Sequence, residues 1–384
     1  MSQMHVMGGA MTVFGRHPGV MAPELAQRAI LDAVADAGLQ LADIQAVYCA
    51  NVLGGMILGQ VIVRDLGLKG IPVYNIENAC ASGATAVHLA RHALLAGQYE
   101  RVLVFGIEQL TALGGGMIPM QRNDRMTDLY ATAGMVLPAV YAMRATRFIH
   151  ERDAKPADLA AVAVKNRRHG SLNEYAQQRN EVSLEEVLAS RMIADPLTLL
   201  QCCPSQVDGA AALVLGNKPG PHAKDVKVLG SIIVSGLRES GDEDILDAEI
   251  TARAARLAYE QAGVAPADIG VVELHDAFTI AELLYYEALG LAAPGEAVSL
   301  LHSGATALGG RVPVNPSGGL LAKGHPLGAT GVAQMVELLW QLQGRAGSRQ
   351  SRHSAPGPGA MHRWRYRRGR PRGVSRAHPG SLKP

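Results

Sequence analysis

The chain has 384 residues, with 48% apolar and 18% charged side chains, an ordinary globular composition that is long enough to bury a substantial core. Its four cysteines form neither a CxxC pair nor a local Cys/His ligand spacing, which excludes a disulfide framework and predicts no metal site. No apolar run approaches the roughly eighteen residues that cross a membrane, and the N-terminus has no basic start before an apolar run. We therefore expect a reduced, soluble, cytoplasmic protein.

The net charge of +2 conceals two regions of opposite character. Residues 345–384 carry eleven Lys or Arg and no Asp or Glu, so the first 344 residues hold 25 basic and 34 acidic side chains, a net of −9. The body is mildly acidic, whereas the tail consists mainly of Arg, Gly, Pro, His and Ser and has little to bury. This change of composition predicts a boundary after Gly344.

Two segments that lie 225 positions apart, residues 24–51 and 249–276, read alike. Each contains an Ala-rich amphipathic helix, a glycine that ends it (Gly38 or Gly263), an Ala-Asp-Ile step and a short β-branched strand. The repeat predicts a chain made of two duplicated halves.

A second pair of matching segments is spaced by 245 residues. Cys80-Ala-Ser-Gly-Ala-Thr-Ala corresponds to His325-Pro-Leu-Gly-Ala-Thr-Gly, and each precedes a long helical pattern that ends in Gly. Cys80 and His325 are therefore expected in equivalent loops, each entering a helix. Strand patterns at 101–105 and 210–215 alternate with these helices, which predicts an α/β fold built of layers.

An irregular region from about 113 to 195 interrupts the first half. It is too long for a connecting loop, so we interpret it as an inserted subdomain, with helices expected over 127–147 and 156–168.

Four sequence blocks together resemble the thiolase superfamily. They are Asn-Ala-Cys-Ala-Ser-Gly at 78–83, His-Asp-Ala-Phe at 275–278, Asn-Pro-Ser-Gly-Gly at 315–319 and Gly-His-Pro-Leu-Gly-Ala-Thr-Gly at 324–331. The His-Asp-Ala-Phe block resembles the sterol-carrier-protein type of thiolase, which is acetyl-CoA acetyltransferase-like. The resemblance implies a layered αβαβα fold with mixed sheets.

The predicted division places the N-terminal half at 1–225, with the insertion, and the C-terminal half at 226–344. Residues 345–384 form the third region, the tail. The resemblance implies that Cys80 and His325 meet where the two halves join.

Cys80 is the candidate nucleophile. A thiol reacts as its thiolate, and a helix N-terminus lowers a thiol pKa through its unpaired N–H groups, so this position favours the anion. The alternative, for a Cys flanked by small residues, is a buried packing residue. Cys49, Cys202 and Cys203 are interpreted as packing residues of this kind.

The resemblance assigns His325 as the general base that takes the proton of Cys80, and His275 as an oxyanion-hole donor to the thioester oxygen. Gly324 and Gly328 are expected to bring backbone close to the substrate. From the residues alone, either histidine is also compatible with a capping or structural role. Asp276 is expected to orient its neighbours, and no metal or cofactor is expected.

The activity implied by the resemblance is acyl transfer between an acyl-CoA and either CoA or acetyl-CoA, as part of lipid metabolism. It also implies a homodimer or homotetramer, without membrane or nucleic-acid partners. Two alternatives stay open: an aldolase-like lyase that acts on CoA-bound side chains with a small partner protein, and a non-catalytic acyl-CoA or lipid binder.

The tail lacks a second reactive group that the resemblance implies, a Cys in a Cys-x-Gly loop, because no Cys follows Cys203. We hypothesise that the tail is read in a shifted frame. Met361 is encoded by ATG and the His362 codon begins with C, so a shift of one base gives TGC, a Cys codon. With GC-rich codons residues 360–368 become Gln-Cys-Thr-Gly-Gly-Gly-Thr-Ala-Ala. The alternative is an Arg-rich arm around Trp364 that binds nucleic acid.

Overall fold

A computed structural model describes residues 3–114, 132–221, 226–237 and 244–352. The strands in these ranges are β1 Met4–Met11, β2 Ala46–Ala50, β3 Val73–Ile76, β4 Arg101–Gln109, β5 Met192–Ala194, β6 Leu197–Thr198, β7 Asp208–Gly216 and β8 Val226–Val228. The helices are α1 Ala22–Asp36, α2 Leu58–Asp65, α3 Ser82–Leu95, α4 Leu137–Glu151, α5 Pro156–Ser171, α6 Leu184–Ala189, α7 Glu249–Ala262, α8 Thr279–Ala288, α9 Ala297–His302, α10 Gly319–Ala322 and α11 Leu327–Gln343. Within the described ranges, none of these helices is long and apolar enough to span a membrane.

Six strands form one mixed sheet in the order β3-β2-β4-β7-β1-β8. β2 runs parallel to β3 and β4, whereas β7 runs antiparallel to both β4 and β1. Helices α1 and α2 cover one face of this sheet, and α3 and α11 cover the other. The strands expected at 101–105 and 210–215 are confirmed within β4 and β7, and the layers confirm the predicted α/β fold class.

Helices α3 and α11 pack against each other, and each begins two residues after one of the matched loop residues. Cys80 precedes α3 and His325 precedes α11, so the predicted equivalence of their positions is confirmed. The glycines three residues further on meet at the contact, since a Cβ built on Gly83 would lie 2.9 Å from the carbonyl oxygen of Gly328. Any side chain at Gly83 would push the two helices apart.

The predicted insertion contributes α4, α5 and α6, which all lie within 113–195. Residues 115–131 are outside the described part, so only the later portion of the helix expected over 127–147 is described, and α4 begins ten residues after that expectation. The helix expected over 156–168 is confirmed by α5. Apolar side chains of α4 and α5 share one core with α8 and α10, so the insertion packs on the second half.

Among the described residues, the second half forms isolated β-bridges in place of its expected sheet. The short strand expected at the end of residues 249–276 is wrong, because a single parallel bridge between Val272 and Val314 stands in its place. Residues 229–236, which match β1 at the 225-residue spacing, contain neither a strand nor a buried residue. In the first half β4 and β7 separate β2 from β1, but no strand follows α11 within the described residues to fill the equivalent positions.

Helix α7 is much less buried than its counterpart α1. Helix α1 buries six side chains and packs on β1, β4 and β7, whereas α7 buries only Ala255. Leu25 of α1 is 0% exposed, and the residue that matches it, Ile250 of α7, is 47% exposed. An amphipathic helix gains most of its stability from packing its apolar face, so α7 lacks the support that α1 has.

The first residues after Gly344 pack against the body. Arg345 forms an ion pair with Asp36 at 2.6 Å, and the buried Arg349 guanidinium lies 3.0 Å from Glu337 of α11. The predicted boundary after Gly344 stays a prediction, although the structure continues to residue 352 without a break. Residues 353–384, with the predicted shifted frame or Arg-rich arm, lie outside the described residues.

Candidate active site

Cys80 lies in a tight loop that hydrogen bonds hold in place before α3. Ala79 adopts a left-handed backbone conformation, with φ of +45°, which turns the chain towards the helix. The Ser82 hydroxyl accepts a hydrogen bond from the Asn78 N–H at 2.8 Å and donates one to the Ala79 carbonyl at 2.7 Å. Cys80 is only partly buried and its thiol is free, so a substrate can approach it.

The expected lowering of the Cys80 pKa is wrong for the free protein. Burial raises the pKa of the Cys80 thiol, a backbone hydrogen bond lowers it, and the Glu108 carboxylate raises it further. The loss of solvation outweighs the favourable position before the helix. The thiol therefore needs a base to remove its proton when it attacks.

His325 has the geometry of such a base. The Thr330 hydroxyl donates to the Pro326 carbonyl at 2.9 Å and lies 2.7 Å from Nδ1 of His325. Because its only proton is already used, this hydroxyl accepts from Nδ1–H, which leaves the lone pair on Nε2. Burial lowers the His325 pKa well below its usual value, and the nearby His275 and Lys323 lower it further, so the ring is neutral at physiological pH.

His275 lies beside His325 and faces the same space. The two Nε2 atoms are 3.3 Å apart, and the rings meet edge to face with centroids 4.8 Å apart. Burial lowers the His275 pKa, so this ring is also neutral. Cys80 Sγ and one nitrogen of each histidine lie within 4.8 Å of one another. The structure thus brings the three predicted site residues together, and their individual roles stay predictions.

The two predicted substrate-binding glycines lie beside this site in sterically crowded positions. Gly324 has a φ of +105°, which strongly favours glycine, and a Cβ there would lie 2.9 Å from a methyl of Val207. A Cβ on Gly328 would lie 2.6 Å from the Ala50 carbonyl oxygen. Both glycines let backbone segments come close together, and a contact with substrate stays a prediction.

Glu108, at the end of β4, is a site residue that sequence reasoning missed. One of its oxygens accepts from the N–H groups of Val52 and Gly328, both at 3.0 Å, and the other accepts from Leu53 N–H at 2.9 Å. This buried carboxylate joins the β2 loop to the start of α11, and so fixes the segment that carries His325. The signal in the sequence was a single acid within an otherwise apolar strand.

Asp276 anchors the segment that runs towards His325. It is fully buried and accepts from Asn166 Nδ2 and from Leu320 N–H, both at 2.7 Å. Burial and the nearby Glu282 carboxylate raise the Asp276 pKa to about 8. These contacts agree with the orienting role predicted for Asp276.

The insertion also contributes an aromatic residue near the thiol. Tyr141 of α4 stacks on Phe278 with ring centroids 4.4 Å apart, and burial raises its pKa, with Cys80 among the further causes. Cys202 and Cys203 are partly buried against the same core, and burial raises both of their pKa values. Cys49 is buried within the first-half core, and burial raises its pKa to about 12. These three cysteines contrast with Cys80, which is the one grouped with histidines.

Comparison with known proteins agrees with this geometry. A family model described as "Thiolase, N-terminal domain" matches residues 4–218, and a model described as "Thiolase C-terminal domain-like" matches residues 234–357. The second match extends past Gly344, as do the contacts of Arg345 and Arg349.

Several relatives match almost the whole chain. Benzoylsuccinyl-CoA thiolase subunit BbsB from Thauera aromatica is 39% identical over 350 residues, which cover 89% of either chain. Acetyl-CoA acetyltransferase from Methanothermobacter thermautotrophicus is 38% identical, covering 91% of this chain and 93% of that protein. Sterol carrier protein 2 from Homo sapiens is 38% identical, covering 91% of this chain and 67% of that protein.

Among solved structures, the Ltp2-ChsH2(DUF35) aldolase matches with a TM-score of 0.77 and 28% identity, over 90% of this chain and 91% of that chain. Together with the grouped cysteine and histidines, these matches show that the chain belongs to the thiolase family.

Proposed function

We propose that the protein is an acyl-CoA acyltransferase that carries its acyl group on Cys80. The observation that carries the proposal is the grouping of a partly exposed thiol with the Nε2 lone pair of a neutral, oriented His325. Thiolytic cleavage and Claisen condensation of acyl-CoA are the two directions of this chemistry, and both begin with the acyl-enzyme.

In the first half-reaction the Cys80 proton moves to Nε2 of His325 as Sγ bonds to the thioester carbonyl carbon. The carbon–sulfur bond to CoA then breaks, and the CoA thiolate takes the proton from His325, so the site returns to its starting charge. Negative charge on the thioester oxygen would be stabilised by an N–H of His275. The acyl group remains on Cys80.

Release of the acyl group requires a second acid or base near the acceptor. No cysteine other than Cys80 is grouped with the two histidines among the described residues. We therefore expect Cys80 to be acylated readily while transfer to CoA or acetyl-CoA is slow.

Intact-mass measurement after incubation with short-chain and bulky acyl-CoAs tests the proposal. We expect one acyl adduct per chain together with a burst of one equivalent of CoA, and no adduct in Cys80→Ala. Cys202→Ala is the matched control, because Cys202 is also a partly buried free thiol, and it should retain the adduct. An adduct that persists in Cys80→Ala, or no adduct with any acyl-CoA, would reject the proposal.

An aldolase-like lyase is the second candidate, favoured by the likeness to the Ltp2-ChsH2(DUF35) aldolase. The name of that aldolase joins two components, Ltp2 and ChsH2(DUF35), and BbsB is likewise named as a subunit. A small partner protein is therefore part of this alternative. Carbon–carbon cleavage of a CoA-bound substrate that survives Cys80→Ala would favour the lyase. Ligand binding without adduct or cleavage would favour a non-catalytic acyl-CoA binder.

We further propose that the protein acts on lipid-derived acyl-CoAs in the cytoplasm as a homodimer or homotetramer. The family membership supports this assembly, and the reduced cysteines support this compartment. Light scattering during gel filtration measures the assembly, and a monomeric mass at micromolar concentration would exclude it.

A further inference from the structure

The three grouped side chains have the chemistry of a metal site as well as that of a nucleophile and its base. We propose that Cys80, His275 and His325 bind one Zn²⁺ ion reversibly, and that the bound ion blocks acylation. Sequence spacing predicts no metal site, because the three ligands come from separate segments that only the fold brings together.

The separation of the two imidazole nitrogens matches tetrahedral zinc. Zn–N bonds of about 2.0–2.1 Å at a tetrahedral angle place two nitrogens about 3.3–3.4 Å apart. The Nε2 atoms of His275 and His325 are 3.3 Å apart without any movement. This distance is long for a hydrogen bond between the rings, so zinc would replace a weak contact.

The thiol supplies the third ligand. Zn–S and Zn–N bonds require sulfur about 3.6 Å from each nitrogen. Cys80 Sγ lies at most 4.8 Å from both, so binding requires it to move closer by about 1.2 Å at most. Two imidazoles and a thiolate are borderline-soft ligands, which select Zn²⁺ or Co²⁺ over Mg²⁺ or Ca²⁺.

A neighbouring side chain orients one of the three ligands, His325, towards the ion. The Thr330 hydroxyl accepts from Nδ1–H of His325, so the Nε2 lone pair already points towards the site. His275 binds the ion in the tautomer that carries Nδ1–H, and in the other tautomer its Nε2–H is the donor to the thioester oxygen, so the two uses of this ring exclude each other. The negative Glu108 carboxylate near Cys80 favours a bound cation, whereas the positive Lys323 near His325 disfavours one.

Binding exchanges the Cys80 proton for a bond to the metal, and the proton goes to solvent. No oxidation is involved, and both histidines are already neutral. The zinc-bound sulfur cannot attack a thioester, and an acylated Cys80 cannot bind zinc as a thiolate. This mutual exclusion rests on the proposed function, whereas metal binding itself does not.

Titration of the metal-free full chain with Co²⁺ tests the site. We expect one equivalent to give a near-ultraviolet thiolate-to-cobalt absorption band and the visible bands of four-coordinate cobalt, both abolished by stoichiometric Zn²⁺. The thiolate band should vanish in Cys80→Ala, and affinity should fall at least tenfold in His275→Asn. Cys202→Ala should bind like the unaltered chain.

Alkylation of the unaltered chain with iodoacetamide gives the same answer without a substitution, because the alkylated Cys80 should no longer give the band. Co²⁺ binding without a thiolate band, or binding that is equal in Cys80→Ala and His275→Asn, would overturn the metal site. A normal metal site in a chain that acyl-CoA never acylates would leave the site standing and reject the proposed function.

Discussion

At the residue scale, the site depends on protonation states that burial sets. Burial raises the Cys80 pKa and lowers the His325 pKa, so the resting pair is a neutral thiol beside a neutral imidazole. This arrangement differs from a preformed thiolate–imidazolium pair. It makes the acylation rate depend on proton transfer within the pair and little on the bulk pH.

We predict a flat pH profile for acylation of the unaltered chain. His325 stays neutral as the pH falls through 6.5, the usual pKa of histidine, so the reactive pair persists on both sides of that value. In His325→Asn only the rare free thiolate can attack, and the rate should rise about tenfold per pH unit until the thiol ionises. Stopped-flow measurement of CoA release gives both profiles. A loss of rate centred near pH 6.5 in the unaltered chain would contradict the assignment of His325.

Glu108 should prove to be a positioning residue. In Glu108→Gln an NH₂ group replaces one of the two oxygens that together accept three backbone N–H groups, so at least one buried donor loses its partner. We expect a loss of about 1–3 kcal/mol in the free energy of unfolding, measured with urea, and slower acylation. Glu100→Gln is the control, because that exposed carboxylate pairs only with the exposed Lys218, and its urea midpoint should not change. Equal effects of the two substitutions would exclude the role of Glu108.

The sequence predicts the three residues that are grouped in the site, but it does not predict Glu108 or Tyr141, which contact the segments around them. Cys80, His275 and His325 are found through their motifs, and two of them also through the duplication. Glu108 shows only as a lone acid in its strand and Tyr141 has no local pattern, since their contacts are with distant segments. The Cys80 pKa was predicted in the wrong direction, because a sequence shows the helix start but not the depth of burial.

At the scale of elements, the duplication supplies an internal comparison. The helices of the two repeated pairs, α1 with α7 and α3 with α11, were predicted correctly, because helical periodicity and terminal glycines are local signals. The strand expected at the end of residues 249–276 was not, because a strand exists only when neighbouring strands pair with it. Helices α1 and α7 have similar sequences, but α1 packs on the sheet whereas α7 buries one side chain.

We predict that amide hydrogens in α7 exchange much faster than those in α1. Both helices begin from equivalent positions of the repeat, but α1 packs on three strands and α7 buries one alanine. Local opening therefore costs less in α7. Hydrogen exchange followed by mass spectrometry on peptides covering 22–36 and 249–262 measures the difference. Equal protection of the two peptides would show that something covers α7.

At the scale of the whole molecule, the composition of the tail bears on the predicted sheet of the second half. Residues 353–384 carry eight Lys or Arg and five Pro, which are poor residues for two central strands buried on both faces. The expected Cys-x-Gly loop and the missing strands would both follow α11. The predicted shift of reading frame would account for both.

Replacing residues 353–384 with the C-terminal segment of the Methanothermobacter acetyl-CoA acetyltransferase should repair both features. We expect slower exchange in α7 and repeated CoA release, in place of a single burst. The control is a chain that ends at Arg352, which should acylate Cys80 once and keep α7 unprotected. A replaced chain that behaves like this truncated control would show that the tail is not the cause.

The contrast between α1 and α7 also bears on the fate of the protein in a cell. Exposed apolar side chains such as Ile250, and backbone at 229–236 that pairs with no strand among the described residues, are features that chaperones and proteases recognise. Steady-state abundance, more than the speed of acyl transfer at Cys80, would then set how much activity a cell obtains from this gene. An intact catalytic group can thus be carried by a polypeptide that is cleared before it is used.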